Sequence, residues 1–124
     1  MTQIPSNPGK IYDLEDRTFK FAQNIRAWIK ELNQSIGNQD DFRQLVRSSG
    51  SIGANYIEAN ECLGKKDFSM RVKICRKEAK ESEYWLRLLD VNLSGSLKLT
   101  HQALLQESRE LRKIFGAIVE KSKN

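Results

Sequence analysis

Three groups of side chains in this chain have the types that chemistry needs. The first is a set of carboxylates, Glu58 and the pair Glu78-x-x-Glu81, the last two one helical turn apart. Carboxylates at that spacing suit a di-iron centre inside a helical bundle. Such a centre takes a glutamate from each of two helices and a Glu-x-x-His from each of the other two. No Glu-x-x-His occurs, and the one histidine, His101, falls in the first turn of the expected fourth helix. His101 is read as a solvent-facing residue there, and no metal is expected. The second group is Cys62 and Cys75, the only cysteines. Neither has a histidine at a spacing that would activate a thiolate, so both are read as semi-buried free thiols of a reducing cytosol. The third group, Ser48, Ser49 and Ser51, has the size and spacing of packing residues rather than of activated hydroxyls. The expectation is a protein that is not an enzyme and takes no cofactor.

The remaining polar residues suggest contacts instead of catalysis. Arg47, Asn55 and Glu58, with Glu78 and Glu81, fall beside expected apolar surface. A partly buried carboxylate is costly unless paired, so Arg47, Arg71 or Arg76 should meet one of these acids in a network that holds helix register or a subunit contact. A ligand site is the alternative use. Lys66, Lys73, Lys80 and Arg87 recur every seven residues, with Lys77 between them. That row is either the solvated side of a helix or a phosphate-binding surface. Tyr84 is the one aromatic on it. Net charge is +5 with a pI near 9.3, and it is uneven. Residues 64–92 hold eight basic and five acidic side chains, whereas 36–63 hold two and four.

The elements that must position these residues are all helical. The 124 residues fit one domain, and the only prolines are Pro5 and Pro8. Residues 1–11 read as a flexible lead-in, and 12–124 as the folded domain. With Asp13 as cap, Leu14, Phe21, Ile25, Trp28 or Ile29, and Leu32 predict helix one over about 14–35, closed by Gly37 and Asn38. Asp40 and Asp41 open helix two, which runs through Leu45, Ile52, Tyr56 and Ala59 to Gly64 as its terminating residue. Gly50 and Gly53 either break that helix or let a neighbouring backbone approach; the apolar phase persists across both, which favours approach. Helix three spans about 66–92, with Phe68, Val72, Cys75, Ala79, Ser82, Leu86 and Leu89 on one stripe. Ser94-Gly95-Ser96 is the turn, and Thr100 caps helix four to about residue 122. Four such helices with short loops predict an all-α, antiparallel up-down-up-down four-helix bundle. Met70, Ile74, Trp85 and Leu88, with Trp28 on helix one, exceed what one bundle seam requires. They are the expected interface of a homo-oligomer. No apolar leader or membrane span is present in this sequence, and a cytoplasmic protein with no membrane partner is expected.

The phrases RSSGSIGANYIEA at 47–59 and KICRKEAKESEYWLRLL at 73–89 resemble the four-helix-bundle family named for 23S rRNA intervening sequences. The likeness covers about residues 12–122. Ser48 departs from it, since many members have alanine there. The resemblance implies an antiparallel bundle assembled as a homopentamer. It also implies similarity to the accessory protein of diversity-generating retroelements, a basic pentameric bundle that works with a reverse transcriptase and nucleic acid. The family name records gene location and no activity. The expected function is a non-enzymatic, homo-oligomeric scaffold or adaptor with RNA or DNA as candidate partner. The alternative is a protein-binding module with no nucleic-acid role.

Overall fold

The computed structural model describes residues 14–32, 38–89 and 92–123. The expected lead-in at 1–11, the Asp13 cap and Gly37 lie outside them. Among the described residues every regular element is a helix: α1 (Leu14–Glu31), α2 (Gln39–Glu61), α3 (Lys65–Leu88) and α4 (Gly95–Lys121). Apolar residues at steps of three and four give each helix one buried stripe, and the four stripes close a single core. In α3 the buried set is Val72, Cys75, Glu78, Ala79, Ser82 and Leu86. Acids sit in the first turn of α1, α2 and α3, where the helix dipole favours them.

Successive helices are neighbours and α4 returns to α1, so the bundle is an antiparallel square. Across one diagonal, Tyr56 of α2 meets Phe115 of α4 with ring centroids 5.5 Å apart. Ser48 of α2 and Ser82 of α3 are fully buried with hydroxyls 2.8 Å apart in one hydrogen bond, and Ser48 Oγ also lies 3.4 Å from the Leu45 carbonyl. On the opposite flank, α2 runs unbroken through Gly50 and Gly53. A Cβ at Gly53 would stand 2.9 Å from Thr18 Oγ1, so the glycine admits α1 at close range.

Element ends depart from expectation in physical ways. Gly64 does not terminate α2; Cys62 does, and Gly64 is the extended residue that precedes α3. The fourth helix begins at Gly95 instead of capping at Thr100. Gly95 takes a positive φ of +56°, which lets the chain enter the helix straight from extended Ser94. Cys75 is fully buried, not semi-buried, and its thiol lies 3.4 Å from the Ile52 carbonyl. His101 is half-buried, stacked on Trp28 with centroids 5.2 Å apart, and its Nε2 donates to the Leu86 carbonyl at 2.8 Å.

Candidate nucleic-acid interface

The outer side of α3 carries every cation of the expected basic row. Lys66, Lys73, Lys77, Lys80 and Arg87 are all exposed. Lys77 lies 3.7 Å from Glu78, while the other four have no ion-pair partner among the described residues. The acids of α3 explain why. Glu78 and Glu81 face α2, where Arg47 donates to them at 3.2 and 2.8 Å. The hydrogen bond to Glu81, then the charge of Glu78, holds the Arg47 guanidinium above its ordinary value. Glu83 faces α4, where Arg109 reaches it at 2.8 Å and Arg112 at 3.5 Å. Three acids of this helix are thus turned into its two seams, and Lys66, Lys73, Lys80 and Arg87 are left outward with no counter-charge among the described residues.

The expected polar network divides in two. Arg47, Glu78 and Glu81 come together, with Gln44 accepting from Arg47 Nε at 3.1 Å. Asn55 belongs elsewhere: its Oδ1 accepts from Arg71 at 2.9 Å, and its Nδ2 donates to the Ser51 carbonyl. Glu58 is exposed and joins neither group. It lines an open groove of about 480 Å³ with Glu61, Asp67, Arg71, Met70 and Ile74. Among the described residues no cluster of histidine, cysteine and carboxylate has the makings of a metal site.

The expected oligomer surface also needs correction. Trp28 is only 2% exposed, with Nε1 donating to the Leu97 carbonyl at 3.1 Å, so the protomer's own core takes it up. Met70 and Leu88 remain 58% and 47% exposed. Ile74 and Trp85 are half-buried, and Trp85 leans on the core.

Pattern reading missed the arginine that ties α1 to α4. Arg17 grips Glu107 with two bonds, at 2.7 and 2.8 Å, and Glu110 with a third at 2.8 Å. The bond to Glu107 is the main reason its guanidinium is held far above the usual range. The available signal was angular. Arg17 lies at the edge of the α1 stripe, and Glu107 and Glu110 share one side of α4.

With this geometry in view, comparison with known proteins is informative. Residues 12–117 match the 23S rRNA-intervening sequence proteins. The chain belongs to that family. No curated protein matches it. A similar solved structure is that of a protein with unknown function from the S23 ribosomal protein family of Bacteroides thetaiotaomicron VPI-5482. It is 26% identical, with a TM-score of 0.67, over 86% of this chain and 97% of that one. These matches establish the intervening-sequence family and its four-helix fold. They carry no link to the retroelement accessory protein. Among the described residues no helix is long and apolar enough to cross a membrane.

Proposed function

We propose that this protein is a non-enzymatic, homo-oligomeric four-helix scaffold that engages RNA or DNA through the basic row of α3. One observation carries the proposal. Glu78, Glu81 and Glu83 are consumed by arginines of α2 and α4, so Lys66, Lys73, Lys80 and Arg87 present unscreened charge on one face. Exposed Met70 and Leu88 beside that row support association with further copies, which would multiply the basic face. Localisation in the cytoplasm fits this use.

The test is binding of labelled RNA and DNA across a salt series. Affinity should fall log-linearly with salt, by about 0.7–0.9 in slope per phosphate contacted. The triple reversal Lys73→Glu, Lys77→Glu, Lys80→Glu should flatten that slope by roughly two to three contacts' worth. An unchanged slope would show that the wrong face has been chosen. If the wild-type chain binds neither nucleic acid, the protein-binding module becomes the better reading. Light scattering that finds a monomer at micromolar concentration would remove the scaffold.

A further inference from the structure

The basic row contains one side chain that phosphate binding does not need. Tyr84 is 53% exposed, and among the described residues its hydroxyl makes no hydrogen bond. It therefore serves neither the core nor a polar tie, the two ordinary uses of a tyrosine in a bundle. It lies four residues after Lys80 and three before Arg87, on the same face of α3. At 1.5 Å per residue those cations stand about 6 Å before it and about 4.5 Å after it along the axis.

Two further features prepare this ring. Its neighbour Trp85 meets it edge-on, with centroids 5.0 Å apart and planes at 77°, and Trp85 is itself packed against the core. A perpendicular contact of that kind braces the phenol ring while leaving much of its surface open. The acids flanking it in sequence are also spoken for. Glu81 is held by Arg47 at 2.8 Å and Glu83 by Arg109 at 2.8 Å, so neither carboxylate is left uncompensated to repel a phosphate. Phe19, though 61% exposed, has Glu15 and Asp16 on its own face one turn before it and no cation one turn after it.

We infer that Tyr84 is a base-stacking platform, flanked by Lys77, Lys80 and Arg87 as phosphate contacts, and that the ligand of this face is a single strand with unpaired bases. The inference rests on the reading of the α3 row as a nucleic-acid surface and narrows its substrate class. A duplex keeps its bases stacked on one another and offers this ring nothing, whereas every unpaired base has a free π-face.

The experiment compares three labelled probes of about 20 nucleotides, long enough to run along this face: a thymidine strand, the same strand with abasic sites, and a duplex. The wild-type chain should prefer the thymidine strand to both others. Tyr84→Ala should weaken that binding about 5- to 30-fold, the lower part of the range for one base on one ring. Tyr84→Phe should stay within about twofold, because the ring and not the hydroxyl does the stacking. Abasic binding should be insensitive to either change, the salt slope unaltered, and the mass by light scattering that of the wild type. Equal loss on the abasic strand, no loss with Tyr84→Ala, or a lowered mass with that variant would overturn the inference. If the wild type binds all three probes equally and the lysine reversal abolishes it, stacking alone is wrong. If it binds none of them, the basic-row reading fails as well.

Discussion

Two glycines three residues apart in α2 should respond differently to alanine, one with a loss of stability and the other without. At Gly53 an added Cβ would stand 2.9 Å from Thr18 Oγ1 and 3.3 Å from Thr18 Cβ, with the α1 backbone carbon at 3.7 Å. Thr18 is fully buried, and its hydroxyl donates to the Leu14 carbonyl at 2.6 Å, so it has nowhere to turn. Overpacking of this kind costs about 1–3 kcal/mol. Against it stands the helix-propensity gain of alanine over glycine, ~1 kcal/mol. Gly53→Ala should therefore be destabilising by about 1 kcal/mol, a fall in Tm of about 3–5 °C for a domain of this size. At Gly50 the nearest obstacle is Arg26 Nη2 at 3.0 Å, the far end of an exposed, flexible side chain. It can swing aside, giving up solvent-side bonds to the Val46 and Ala22 carbonyls and a long, part-buried one to Ser49 Oγ at 3.4 Å. Gly50→Ala should fall between neutral and ~1 kcal/mol more stable. Urea unfolding followed by circular dichroism measures both, and a cycle with Thr18→Ala isolates the clash. Part of the Gly53→Ala loss should vanish when Thr18 is already alanine. Equal losses at the two glycines, or strict additivity in the cycle, would refute the close-approach argument.

Three other expectations follow from the seams and the core. Arg47→Ala leaves Glu78, whose side chain is only 8% exposed, with Lys77 at 3.7 Å as its remaining partner; a loss of about 1–3 kcal/mol is expected, largely recovered by adding Glu78→Gln, in urea melts. Burial pushes the Cys75 thiol up to about 12, so an alkylating reagent at pH 8 should modify Cys62 in the native protein and reach Cys75 only in urea, as intact mass would show. Bonds from Gln106, then Arg17, hold the Glu110 carboxyl below its usual value. Protons therefore bind the unfolded chain first as pH drops. Its stabilising contribution is whole above about pH 4.3, the ordinary glutamate value, and is lost as pH falls through the lower folded value. Glu110→Gln should shrink the drop in urea midpoint between about pH 5.5 and pH 3.

The buried stripes were legible because burial on a helix repeats at a fixed angle. Val72, Cys75, Ala79, Ser82 and Leu86 fall on one line by spacing alone, and the phase of Leu45, Ile52 and Tyr56 carries α2 across its glycines. What stayed hidden depends on a second helix. Nothing near Trp28 announces that Leu97 and His101, some seventy residues on, would build its pocket. A large indole thus looked surplus. Arg17 has the same difficulty, since its partners lie on α4 and local spacing carries no distance between helices. The start of α4 is hidden because Ser-Gly-Ser reads as a turn, and only the positive φ of Gly95 reveals that the turn is already the helix entry. For the candidate surface, the lysine row was visible as a period. Its lack of counter-charge was not, because that depends on where Glu78, Glu81 and Glu83 find their arginines.

The serine pair between α2 and α3 limits how this molecule can change over time. Ser48 and Ser82 touch at 2.8 Å with no solvent between them, so neither position has room to grow. Replacing Ser48 takes away the partner of the Ser82 hydroxyl, whereas replacing Ser82 leaves Ser48 the Leu45 carbonyl at 3.4 Å, and trading both for alanine costs little. Drift along this line runs toward smaller side chains and has an order: a lineage that lost Ser48 would be pressed to lose Ser82 as well, while one that lost Ser82 could keep Ser48.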